Sequence, residues 1–185
     1  MMLGNVRGQL RRDDAQLVVR LLARGSAEAQ ERIEAELRDR GLDALLDDPR
    51  LLPVLIEARQ AMHASLPLFM CVAVRAALRN AGETDRGLAD YVASILVHFA
   101  AGGRALQIAE IDDEQYDSLA GLCRDLDTPD PRRGFLVRQH LGNYALWLAG
   151  LFPDRIEHLR WRRGGPQLDY YDEMGSRGFR LPISS

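Results

Sequence analysis

The sequence predicts an all-α protein, a compact globular bundle of about seven to nine helices, and three observations carry that prediction. Of its 185 residues, 29 are leucine and 22 alanine, against 18 valines, isoleucines and threonines together. Leucine and alanine head the helix scale, whereas β-branched residues dominate strands. Apolar residues recur at helical spacing along most of the chain, and no stretch alternates with period two for long enough to be a strand. Turn signals at Gly41, Asp48-Pro49, Gly82, Gly102-Gly103 and Gly164-Gly165-Pro166 cut this text into helix-length pieces. The length fits a single domain over residues 1–185, with loose ends at 1–9 and 180–185.

Each element has its own justification. Leu10, Leu17, Val18, Leu21 and Leu22 define a first helix ending near Gly25. Ser26 can cap a second, with a thin apolar stripe of Ala29, Ile33 and Leu37 closed by Gly41; its other positions are mostly Glu and Arg, which puts it on the outside. Pro53 suits the first turn of a helix running to about Ala64, and Leu66-Pro67 breaks it. Residues 68–80 are apolar on all sides except Arg75 and Arg79, which share one stripe at i,i+4. That pattern describes a central helix with one solvent or ion-paired seam. After Gly82, Thr84 or Asp85 can start a helix over 85–101 whose inward face is Leu88, Tyr91, Val92, Ile95, Leu96 and Phe99. Residues 104–130 hold eight acids against Arg104 and Arg124, with room for one helix over about 113–126. Thr128-Pro129-Asp130-Pro131 is a loop, and a long apolar helix over 132–152 follows it, ended by Pro153. Asp154 can cap a short basic helix to about Arg162, and 168–177 makes the last one. The helices over 68–80, 85–101 and 132–152 are expected at the centre.

Composition excludes several chemistries. All 24 basic residues are arginine, so there is no lysine for a Schiff base, a P-loop or a general base. The net charge of −3 gives no reason to expect a nucleic-acid partner from the whole chain. None of the ten glutamates begins a Glu-x-x-His pair, and HExxH, GxSxG and GxGxxG are all missing; no catalytic residue, metal or cofactor is expected. Cys71 and Cys123 lie 52 positions apart in apolar helical text, which fits reduced thiols in the cytoplasm. The N-terminus has no apolar stretch after its charges, as a signal peptide would. The two longest charge-free runs, 60–74 and 139–153, are 15 residues each. A membrane span needs about 20, so none is expected.

Four histidines remain, and His140 stands out. On its helix it shares the apolar arc with Leu136, Tyr144, Trp147 and Leu151. A histidine there either bonds a backbone carbonyl or carboxylate within the core, or contacts a ligand. His98 stands similarly at the edge of its own helix, beside Tyr91 and Ser94. Gly142, Ala145 and Ala149, with Gly150, leave one side of the long helix nearly bare, which suits close packing of another helix or leaves room for a ligand. Arg155, Arg160, Arg162 and Arg163, interleaved with Trp161, form a basic surface of the kind that meets phosphates. The acidic segment before it can neutralise that charge within the fold.

The C-terminal third resembles a set of uncharacterised bacterial helical proteins. The residues that carry the likeness run from Gly142-Asn143-Tyr144-Ala145-Leu146 through Gly150-Leu151-Phe152-Pro153, then Tyr170-Tyr171-Asp172-Glu173-Met174-Gly175 with Phe179. Asn143 stands where that pattern more often has aspartate. The resemblance implies a compact helical fold and brings no activity with it.

Function is therefore read mainly from exclusion and from amphipathic helices. The leading expectation is a non-enzymatic interaction or regulatory module whose partner is another protein or a second copy. A pocket for an apolar small molecule or cofactor near His140, Tyr144 and Trp147 comes second. Nucleic-acid binding through the 155–163 arginines comes third.

Overall fold

Capping chemistry sets where the helices start and stop. In α1 (Arg12–Ala23) the carboxylate of Asp14 turns back to accept from the Arg11 amide at 2.9 Å, satisfying a donor that a helix start leaves orphaned. The same buried carboxylate accepts from the Ser65 amide at 3.4 Å, so one side chain ties the starts of two helices together. The computed structural model describes residues 5–58, 63–100, 126, 130–151, 156 and 167–179. Among them are eight α-helices, one 3-10 turn and no strand, as the sequence predicts. No helix among these residues is long and apolar enough to cross a membrane.

The chain divides into two units, residues 2–98 and residues 99–185. The first opens with the 3-10 turn Val6–Gln9, where Val6 is fully buried; residues 5–9 are thus part of the fold rather than a loose end. α1 ends with Arg24 in the left-handed conformation and α2 (Ala27–Arg40) starts on Ser26, whose hydroxyl accepts from the Ala29 amide at 3.3 Å. Only Ile33 of α2 is fully buried, as its thin stripe predicts. Gly41, at φ +76°, turns the chain into α3 (Leu42–Leu46). α4 (Leu51–Glu57) takes Pro53 in its first turn but stops at Glu57, short of the expected Ala64, because Ala58 goes extended. Leu66-Pro67 then begins α5 (Leu66–Asn80) rather than breaking a helix. Ser65 caps it by accepting from the Leu68 amide at 3.2 Å, and a proline in the first turn removes a donor that would be orphaned anyway.

The start of α6 (Arg86–Ala100) is Asp85, whose carboxylate accepts from the Gly87 and Leu88 amides at 2.7 and 3.2 Å. Its buried face differs from the expected one. Ala89, Asp90, Ala93, Ser94, Ile95 and Phe99 are buried, while Leu88 is exposed and Tyr91, Val92 and Leu96 are half-buried. The helix is turned so that its small residues and Asp90 face inward. Asp90 meets the buried guanidinium of Arg75 there at 3.0 Å, which fixes the rotation of the helix and leaves Leu88 outside.

In the second unit, α7 (Pro131–Leu151) packs on α8 (Leu168–Phe179), which runs two residues past the expected end. Val137, Leu141, Ala145 and Met174 form its core, with Leu126, Leu136 and Tyr170 against them. Of the expected helices over 113–126 and 154–162, only Leu126 and Ile156 belong to the described residues, and Ile156 is buried.

Candidate functional site

Three pairs of charged residues at i,i+4 spacing converge in the first unit: Asp43 with Asp47, Arg75 with Arg79, and Arg86 with Asp90. Arg75 is the hub, with a side chain only 2% exposed. Its Nη2 donates to Asp90 at 3.0 Å and lies 3.0 Å from Asp43, while its Nη1 donates to Asp47 at 3.2 Å. A guanidinium so deeply buried needs counter-charge, and three carboxylates supply it. Two of the three have a second cation: Arg7 lies 2.8 Å from Asp43, and Arg86 pairs with Asp47 through Nε at 2.8 Å and Nη2 at 2.5 Å. Arg79 donates to the Asp47 carbonyl. Among the described residues, Arg75 Nε and Asp43 Oδ1 have no partner in hydrogen-bond geometry. Both arginine contacts of Asp43 Oδ1 are therefore ion pairs off the hydrogen-bond axis.

The seam expected at Arg75 and Arg79 is thus ion-paired, and at Arg75 it is buried rather than solvated. Asp43, Asp47, Arg86 and Asp90 were not singled out in the sequence. Their signal was the repeated i,i+4 charge spacing on faces otherwise apolar. A cleft of about 510 Å³ opens beside the cluster, lined by Arg75, Arg79 and Arg86 and equally by Asp47, Glu83 and Asp85. Its acids are engaged. Asp85 caps α6, and Glu83 accepts from the Thr84 and Asp85 amides at 2.7 and 2.8 Å. Charges here answer one another, so the arrangement works as a lock joining the 3-10 turn, α3, α5 and α6.

Cys71, one turn before Arg75, is fully buried, with Sγ 3.8 Å from Asp90. Burial pushes its thiol up from 9.0 to about 11, and the nearby Arg75 charge pulls the other way without undoing the rise. A raised folded value means that between pH 9 and 11 the unfolded chain loses this proton while the folded chain keeps it. Stability is expected to fall with rising pH through that window, by up to about 1.4 kcal/mol per pH unit. Urea unfolding at stepped pH should show this extra slope in wild type and lose it in Cys71→Ala. Equal slopes in the two proteins would refute the assignment.

In the second unit His140 is 6% exposed and buried beside Asn143 on α7. Its ring stacks on Tyr144 at 6.5 Å between centroids, and Tyr144 stacks on Trp147 at 5.8 Å. Phe99, also in this unit, meets all three rings, at 5.8 Å from His140, 6.0 Å from Tyr144 and 5.3 Å from Trp147. The structure therefore brings His140, Tyr144 and Trp147 together along one face, as their spacing predicts. His98 is half-buried on α6 in the first unit. Arg155, Arg160, Arg162 and Arg163 lie outside the described residues, as does Cys123.

The bare side of α7 meets another helix. A Cβ built on Gly178 would stand 2.5 Å from Gly142 N and 2.6 Å from the Arg138 carbonyl oxygen, so backbone lies against backbone where α7 crosses α8. Phe179 covers Gly142, and Gly175 faces Ala145. Fold and site together define an all-helical protein with a first unit locked by a buried arginine–aspartate cluster and a second closed by a glycine crossing. Comparisons of the chain with protein-family models, curated proteins and solved structures gave no match.

Proposed function

We propose that this chain is a non-enzymatic helical interaction module of the cytoplasm that pairs with a second copy of itself through α5. The supporting observation is an outward face without charge. Leu66 and Phe69 are 42% and 37% exposed, and Ala73, Ala76 and Ala77 continue the same arc at helical spacing. The opposite arc of α5 holds Leu68, Cys71, Val72 and Arg75, all buried, so the outward residues are not needed for the unit's own core. Two bulky residues followed by three alanines suit helix-on-helix packing. The large side chains of one copy fit over the small ones of an antiparallel second copy, an isologous arrangement.

Light scattering after size exclusion is expected to show a dimer that becomes a monomer in Phe69→Asp. That side chain is at the surface, so the helical circular dichroism signal should not change. A wild type that stays monomeric at high concentration would refute pairing through α5.

A further inference from the structure

A second cleft in the first unit, about 560 Å³, lies where the end of α1, the start of α2 and the end of α4 meet. Its composition differs from that of the cleft beside Arg75. Leu21, Ala23 and Val54 supply an apolar floor, Arg20, Arg24 and Gln30 line the rim, and no acid is among its lining residues. Among the described residues neither Arg20 nor Arg24 pairs with a carboxylate.

Arg24 also sits where the backbone disfavours it. It closes α1 at φ 48°, ψ 34°, the left-handed conformation that glycine adopts without strain, and Gly25 follows it at φ +81°. With Arg20 in the last turn, it places two cations at the C-terminal end of α1.

We infer that this groove receives an acidic amphipathic peptide segment. One or two apolar side chains lie on the Leu21–Val54 floor, and carboxylates one helical turn apart meet Arg20 and Arg24. Charge complementarity supports that occupant. Two unpaired guanidinium groups four residues apart match acids at i,i+4 spacing, and each can take a carboxylate in a bidentate fork. Leu21, Ala23 and Val54 are 2%, 3% and 8% exposed, so the floor offers a thin apolar strip and the two guanidinium groups carry the recognition. The inference rests on the interaction-module reading for its class of partner, but it uses a different surface from α5.

The probe is a fluorescein-labelled helical peptide with glutamate and leucine repeating at i,i+4, read by fluorescence polarisation. A control peptide carries glutamine for every glutamate. Wild type is expected to bind the acidic peptide with an affinity that weakens as salt rises, and to bind the control far more weakly. Arg20→Gln and Arg24→Gly should each weaken binding by about tenfold, the loss of one charged contact. Arg24→Gly removes the strained residue, so its melting temperature should stay level or rise, which separates lost binding from lost folding. Equal affinity for both peptides, or for wild type and the two variants, would overturn the inference, as would no binding at low salt. Phe69→Asp should bind the peptide as wild type does. If it binds normally while wild type is already a monomer, the α5 reading fails and this one holds. If wild type dimerises but ignores the peptide, the reverse is true.

Discussion

Gly178→Ala is expected to disrupt the packing of α8 on α7. The added methyl would stand 2.5 Å from Gly142 N, 2.6 Å from Arg138 O and 2.7 Å from Gly142 Cα. All three are backbone atoms inside a helix, so none can swing aside and the two helices must separate. Overpacking a core costs about 1–3 kcal/mol when side chains can adjust; here they cannot, so a loss of about 3 kcal/mol or more is expected. Other glycines of the same unit supply the controls. At Gly142 the new methyl would lie 3.1 Å from the ring of Phe179, which is 46% exposed and can shift, so a loss of about 1 kcal/mol is expected. At Gly175 it would meet Ala145 Cβ at 3.6 Å, an ordinary contact, and at Gly150 nothing within 4 Å. There alanine's helix propensity should win by up to about 1 kcal/mol. Thermal unfolding followed by circular dichroism should rank the variants Gly178→Ala, Gly142→Ala, Gly175→Ala, Gly150→Ala from least to most stable. A Gly178→Ala protein with wild-type stability would show that the crossing is not this close.

The glycine crossing shows what a sequence can and cannot reveal. Gly142, Ala145 and Ala149 at helical spacing announce a bare face, because small side chains on one side of a long helix have few other uses. What fills that face is a tertiary fact. Gly175 and Gly178 lie 33 and 36 positions after Gly142, in a helix whose expected end fell short of Phe179. Punctuation was legible for a similar local reason, since Ser26, Gly41 and Asp85 act on amides within a few residues of themselves. Ser65 was missed because Pro67 reads as a breaker unless the preceding residue is recognised as a cap. The inward face of α6 was misjudged because hydrophobicity alone chooses Leu88 over Asp90. Only the position of Arg75, on another helix, reverses that choice. Nothing in the sequence pairs Asp43 or Asp47 with Arg75 either, beyond charges spaced to share a face.

Loss of the Arg75 charge is expected to be the other large effect, and its pattern depends on which carboxylates keep a partner. Asp43 retains Arg7 and Asp47 retains Arg86, but among the described residues Asp90 has no second cation and otherwise faces only the Cys71 sulfur. Arg75→Met keeps most of the apolar stem and strands Asp90 as a buried, uncompensated charge. Removing one partner of a buried ion pair typically costs about 3–5 kcal/mol, and that loss is expected here. Asp90→Leu alone should cost less, because Arg75 keeps Asp43 and Asp47. Arg75→Met combined with Asp90→Leu removes the stranded carboxylate together with the guanidinium and fills the space with apolar atoms, so it should recover most of the stability lost by Arg75→Met alone. Urea unfolding of the four proteins closes a double-mutant cycle, with a coupling of about 2 kcal/mol or more expected for groups in direct contact. Additive losses would mean that Arg75 and Asp90 do not depend on one another, and the lock would have to be sought in Asp43 and Asp47 instead.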